Sequence, residues 1–173
     1  MTDAIPFLDV YKHCPRCAGS LKKVDTYLMC DGCGFHVYNN PLACNAAIIE
    51  NESGEILLIK RKYDPLKGYW DLPGGFIEPG EDLQVSVERE VKEEIGVDVQ
   101  VGELIGHYAD TYDYQGVRRP SFCAVVVATI QSGEPQPLDD AASITYFSKK
   151  DVLKQRFAFP TLKRAVAEYL QRT

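Results

Sequence analysis

Hydrophobic and polar positions alternate with two different periods along this chain. "ACNAAIIE" (43–50) and "EILLIKR" (55–61) are nearly continuous apolar runs joined by the polar turn "NESG", and they read as two strands. "KYDPLKGYWD" is a loop broken by Pro and Gly, and "LPGGFIEPGED" is a short strand running into a turn. The period then changes. Leu83, Val87, Val91 and Ile95 recur every four residues, which predicts a helix over 83–95, and Gly96 stands where a helix C-terminal glycine belongs. "VDVQVGELIGHYAD" and "PSFCAVVVATI" read as strands around a hairpin-like "YDYQGVRR", and "ITYFS" as one more. "KKDVLKQ" and "PTLKRAVAEYLQR" read as helices, the second with an apolar face of Leu162, Val166, Tyr169 and Leu170. Strands and helices alternate, so the expected fold class is α/β, a mixed sheet packed between helices.

Residues 1–41 do not follow this pattern. Residues 1–13 read as a loosely structured lead-in, 14–38 carry paired cysteines, and "NNP" at 39–41 is turn-like punctuation. The expected organisation is therefore an N-terminal segment, 1–41, and a larger domain, 42–173. No apolar run approaches a membrane span. The first fourteen residues include Asp3 and no continuous apolar core, so they do not read as a secretory signal, and a cytoplasmic location is the expectation.

In that compartment disulfides are disfavoured, and "CPRC" and "CDGCG" call for another use of thiols. Each C-x-x-C knuckle can place two thiolates on one ion. Cys14, Cys17, Cys30 and Cys33 together make a four-thiolate tetrahedral set of the kind zinc prefers, with no open position, so a structural zinc is expected. A redox dithiol is the competing reading of a single knuckle, and two in register argue against it. His13 and His36 flank the knuckles without being needed as ligands. Cys44 and Cys123 lie in apolar strands and read as ordinary buried cysteines.

The net charge of −6 sharpens the picture because it is not spread out. Residues 75–97 hold seven acids and two bases, a net of −5. A concentrated acidic segment suits a cation site and argues against a protein whose main work is gripping nucleic acid. Within it, "REVKEEIG" (89–96) places Glu90, Glu93 and Glu94 within an arc of roughly 100° on the helix. Like charges at that spacing repel, so without a cation their pKa values are expected to be raised by one another. The plain alternative is a solvated acidic face helped by Glu88–Lys92 and Arg89–Glu93 pairs. That alternative leaves unexplained the glycine-rich strand and turn that lead into the cluster.

"GFIEPGEDLQVSVEREVKEEIGV", Gly75–Val97, resembles the complete Nudix box, G-x5-E-x7-R-E-U-x-E-E-x-G-U, with U a large aliphatic. Gly75, Glu81, Arg89, Glu90, Val91, Glu93, Glu94, Gly96 and Val97 all fit. The resemblance implies an α/β/α sandwich that uses Mg²⁺ or Mn²⁺ to hydrolyse a nucleoside diphosphate linked to another group. It implies Glu90, Glu93 and Glu94 as metal ligands with the Gly75 carbonyl assisting, and Arg89 as the residue that orients them. One of the glutamates, or a later loop acid such as Asp139 or Asp140, would act as base. Glu81 would brace the turn or touch a metal through water. Arg61 stands where such enzymes often place a phosphate contact, though a solvated charge is the usual reading of such a residue. Tyr114, with Tyr112, can stack on a base or pack a hairpin.

A zinc ribbon ahead of this domain resembles NADH pyrophosphatases and the small zinc-ribbon Nudix group. The S-Q-P-W-P-F-P run that the NADH pyrophosphatases carry after the box is absent here. The expected substrates are small nucleotide derivatives such as ADP-ribose, FAD or an NADH-like dinucleotide, and a homodimer through the ribbon is compatible with the sequence. A nucleotide-sensing module, with the ribbon on nucleic acid or protein, is the alternative. It fits less well, because all box glutamates are present and the ribbon is neutral overall.

Overall fold

The computed structural model describes residues 4–172, so the start of the lead-in and Thr173 lie outside the described residues. In chain order the elements are β1 (Ile5–Pro6), β2 (Leu21–Val24), β3 (Tyr27–Cys30), β4 (His36–Tyr38), β5 (Leu42–Ile49), β6 (Ile56–Arg61), β7 (Trp70–Asp71), α1 (Leu83–Ile95), β8 (Asp98–Tyr114), β9 (Val117–Ser132), β10 (Ala141–Phe147) and α2 (Pro160–Arg172). Two compact units emerge. Among the described residues, the smaller holds those up to Leu42 together with Thr111–Ser121, and the larger holds Ala43–Asp110 and those from Phe122 onward.

In the larger unit the apolar runs are continuous because both of their faces are covered. Ala46, Ile48, Ile56 and Leu58 pack with Leu162, Ala165 and Val166 of α2. The intervening Ala47, Ile49, Leu57 and Ile59 pack with Val87, Val91 and Ile95 of α1. That alternation is the α/β/α layering, and it removes the polar half of the usual strand pattern. β10, β6 and β7 form an antiparallel sheet, and β5 pairs with β9, which also carries β8 and β1. The segment "KKDVLKQ" yields only a 3₁₀ turn at Val152–Lys154. Fully buried Val152 anchors it, and Gln155 is already extended with ψ 153°, so the chain leaves before an α-helical turn can propagate. No helix among the described residues is long and apolar enough to cross a membrane.

The smaller unit has its own core of Leu8, Leu28 and Val37, backed by Phe7, Tyr11 and Leu21. β2, β3 and β4 are antiparallel neighbours carrying the cysteine knuckles at their ends. Residues 4–13 are more ordered than a loose lead-in. β1 pairs in parallel with Val117 and Arg118, a 3₁₀ turn follows at Phe7–Val10, and the Arg119 guanidinium lies 4.2 Å above the Phe7 ring. The hairpin-like stretch is also mostly strand. β8 and β9 run until Gln115 (φ 50°) and Gly116 (φ 77°), both left-handed, as a two-residue hairpin turn requires. Arg118 braces it with a two-pronged pair to Asp113 at 2.8 and 2.7 Å.

Candidate functional site

α1 starts where the Asp82 side chain accepts from the Val85 N–H and ends on left-handed Gly96, φ 76°. With Val87, Val91 and Ile95 pinned in the core, the register of the helix is fixed. The flanking carboxylates then differ in exposure according to their angle from that stripe. Glu94 is 7% exposed, whereas the Glu93 side chain is 51% exposed.

Arg89 sits at the centre of the cluster. Its Nε donates to Glu81 Oε1 at 2.6 Å and its Nη2 to Glu81 Oε2 at 3.0 Å, a two-pronged clamp. Nη1 donates to both Glu90 Oε1 at 2.9 Å and Glu93 Oε2 at 3.1 Å. Nη2 also reaches the Phe76 carbonyl at 3.0 Å. One guanidinium thus ties the turn, the strand after Gly75 and two helix carboxylates together. Glu81 braces the turn, accepting from the Glu78 N–H at 3.0 Å. Glu94 turns the other way, and its Oε2 accepts from the Gly74 N–H at 2.9 Å. Repulsion along the helix is therefore relieved within the chain itself.

The pKa directions correct one expectation. Glu90 is raised and Glu94 well raised, but burial is the leading cause for both, and neighbouring carboxylates contribute less. Glu81 is held down to about 2, first by Arg89 and then by the Glu78 N–H. A carboxyl lowered in the folded state contributes stability that is full above its ordinary value of 4.5 and lost as pH falls toward 2. The stability difference between wild type and Glu81→Gln is thus expected to hold steady above that value and shrink progressively below it. Urea unfolding from about pH 6 down to about pH 3 checks this.

Gly74 (φ 146°) and Gly75 bring backbone against the cluster. A side chain at Gly74 would strike the main chain of Asn45, and one at Gly75 would lie 2.5 Å from the Glu90 carboxylate carbon. At Gly74 the obstacle is main chain, so only glycine passes there; at Gly75 a side chain would have to displace the clamped Glu90 carboxylate. The loop bearing Asp139 and Asp140 is tied to the end of α1, since Leu138 N–H donates to the Glu94 carbonyl. The side chains of both aspartates are exposed, while their carbonyls accept from Nζ and N–H of Lys62 respectively. Asp140 lies close enough to help raise Glu94.

Arg61 is largely buried. It pairs with Asp71 at 3.1 Å and donates to the Pro65 carbonyl, so its fork is engaged inside the protein. Asp71, raised to about 6 by burial against the opposing pull of Arg61, was not singled out in the sequence, nor were Asn45 and Ser86. The available signal was a polar residue inside an apolar strand. Tyr114 belongs to the smaller unit, half-exposed and stacked on Tyr112 at 6.0 Å.

The smaller unit gathers Cys14, Cys17, Cys30 and Cys33, whose sulfurs all lie within 4.8 Å of one another. The two knuckles fold alike. Ala18 N–H returns to the Cys14 carbonyl and Gly34 N–H to that of Cys30, with Ala18 (φ 58°) and Gly34 (φ 69°) both left-handed. The N–H of Cys33 lowers the Cys30 thiol to about 7, against the effect of burial. His36 is not in the sulfur cluster; its Nδ1 lies 3.1 Å from the Tyr38 hydroxyl. Cys123 is buried, and Cys44 packs beside it against the α2-side core.

The model for the NUDIX domain matches residues 41–169. An ADP-ribose pyrophosphatase of Methanocaldococcus jannaschii is 36% identical over 123 residues, which span 71% of each chain. A NAD-capped RNA hydrolase of Haemophilus influenzae is 35% identical over 99 residues, covering 54% of this chain but 37% of that longer protein. A Nudix hydrolase structure from Nitrosomonas europaea superposes with a TM-score of 0.73 over 94% of this chain and 92% of its own, at 24% identity, a likeness of fold. With the box clamped as one unit and the family model spanning most of the chain, this protein belongs to the Nudix family of hydrolases, which cleave pyrophosphate bonds.

Proposed function

We propose that the protein is a metal-dependent pyrophosphohydrolase that splits a nucleoside diphosphate derivative, such as ADP-ribose, FAD or an NADH-like dinucleotide, into a nucleoside monophosphate and a phosphorylated product. The observation that carries this reading is the Arg89 clamp, which joins Glu81, Glu90 and Glu93 beside the Gly74–Gly75 backbone that holds Glu94. The named activity of the Methanocaldococcus jannaschii relative supports the substrate class.

The donor set fits a hard divalent ion, because it is all oxygen. Glu90, Glu93, Glu94 and the Gly75 carbonyl would hold Mg²⁺ or Mn²⁺. When bound, such an ion neutralises pyrophosphate charge and makes a bound water more acidic. The remaining work falls to the chain. Arg89 fixes Glu90 and Glu93 so that no reorganisation is needed when substrate arrives. Glu93, the most exposed of the three and held by one contact to Arg89, would take a proton on its carboxylate. The Cys14–Cys17–Cys30–Cys33 set would hold a structural Zn²⁺.

The test is a panel of ADP-ribose, FAD, NADH and nucleoside polyphosphates with Mg²⁺ or Mn²⁺. Release of a nucleoside monophosphate from at least one derivative is expected. Tight nucleotide binding with no turnover on any member would replace this reading with a sensing role.

A further inference from the structure

We propose that Asn45, acting through Ser86, is a positioning residue that sets the spacing between the two walls of the catalytic site. This rests on the metal-dependent reading above. Asn45 interrupts the apolar face that β5 turns toward α1, and it is 3% exposed; Ser86, on the facing side of α1, is fully buried.

The contacts of Asn45 run in two directions. Its main-chain N–H donates to the Gly75 carbonyl at 2.9 Å, and two residues on, Ala47 N–H donates to the Pro73 carbonyl at 2.8 Å. The glycine strand is thus laced to β5 at the very carbonyl assigned to the metal. The close approach that forbids a side chain at Gly74 is also an approach to Asn45. In the other direction, Asn45 Nδ2 donates to Ser86 Oγ at 2.9 Å. The same Ser86 oxygen also accepts from Arg89 Nη2 at 3.4 Å. A chain of hydrogen bonds, Asn45 to Ser86 to Arg89, therefore ends on Glu81, Glu90 and Glu93.

One residue grips both the strand that offers Gly75 and the helix that offers the carboxylates. The Oδ1 of Asn45 is buried with no partner among the described residues. An apolar residue here would bury no such unsatisfied acceptor, and it would also lose the link to Ser86. A core amide that only fills space would influence stability and nothing else. A positioning amide also sets metal affinity, since the partners that orient metal ligands typically change affinity or activity by about 10–100-fold when removed.

The experiment titrates Mn²⁺ alone against the full chain, followed by electron paramagnetic resonance of free Mn²⁺, alongside kcat and KM on the best substrate of the panel. Asn45→Ala and Ser86→Ala are each expected to weaken Mn²⁺ binding and lower kcat by about tenfold, with KM for substrate little changed. The double variant should lose no more than the larger single effect, because both break one chain. Glu88→Gln, on the exposed face of α1 and paired with Gln84, is expected to leave every readout unchanged. Should Asn45→Ala fail to fold, Ser86→Ala alone decides, as it removes a single oxygen from mid-chain. Variants that lower the melting temperature yet bind Mn²⁺ and turn over as the wild type does would overturn this inference alone. A wild type that binds no Mn²⁺ would overturn it together with the functional reading.

Discussion

Glu94→Gln is expected to lower kcat/KM by roughly a hundredfold or more while leaving the metal-free fold as stable as before, or more stable. The reasoning starts from burial. Glu94 is 7% exposed, and its carboxylate accepts a hydrogen bond from the Gly74 N–H. A buried ionised carboxylate is costly unless a cation compensates it. Glutamine keeps the shape and an acceptor for Gly74, removes the charge, and so relieves that cost. It also removes one of the three anionic oxygen donors proposed for the metal, and a hard ion held by few carboxylates binds far more weakly without one. Urea unfolding in chelator, set beside kcat/KM in Mg²⁺, separates the two effects. Lost activity together with a large loss of stability would show that Glu94 acts as a structural brace. Retained activity would remove it from the metal set.

Cys14→Ser is expected to release about one zinc per chain and to unfold the smaller unit. Among the described residues its buried apolar cluster is Leu8, Leu28 and Val37, too small to hold a domain without a staple. The four sulfurs lie within 4.8 Å of one another, and zinc held by such a set contributes about 10–16 kcal/mol of folding free energy in small zinc-finger peptides, so its loss is expected to unfold this unit. Hydrogen exchange reads the outcome by segment. Protection should vanish from β2, β3 and β4, and also from Thr111–Ser121, which packs in the same compact unit through the pairing of β1 with Val117 and Arg118. Protection in Ile48, Leu57 and Val91, fully buried in the larger unit, should persist. A zinc-free chain with unchanged protection in the ribbon would show that the thiols need no metal.

Much of this was written in local order. The four-residue stripe Leu83–Val87–Val91–Ile95 fixed α1 because a helix buries whatever recurs at its own period, and Gly96 stopped it for want of a Cβ. The knuckles were legible because a two-residue gap is a local geometric rule. Where local order misled, the cause was a partner distant in sequence. "KKDVLKQ" has helical residues, but burial of Val152 and the exit into Phe157 end it after a single 3₁₀ turn. "YDYQGVRR" has turn residues, but cross-strand pairing carried the ladder down to Gln115 and Gly116. The first described residues gained order from a strand more than a hundred positions away.

The box, its helix, the four thiols and the concentration of negative charge are legible along the chain, because each depends on spacing within one short stretch. How that charge is tolerated depends on the packed fold. It placed Arg89 between Glu90 and Glu93, sent Glu94 to Gly74, turned Arg61 inward to Asp71, and set Asn45 beneath Ser86. Those partners come from separate strands and a helix, and contacts between them exist only once two apolar cores have closed around the sheets. A charge pattern can be read along a chain; which opposing dipole or cation meets each charge is settled by packing.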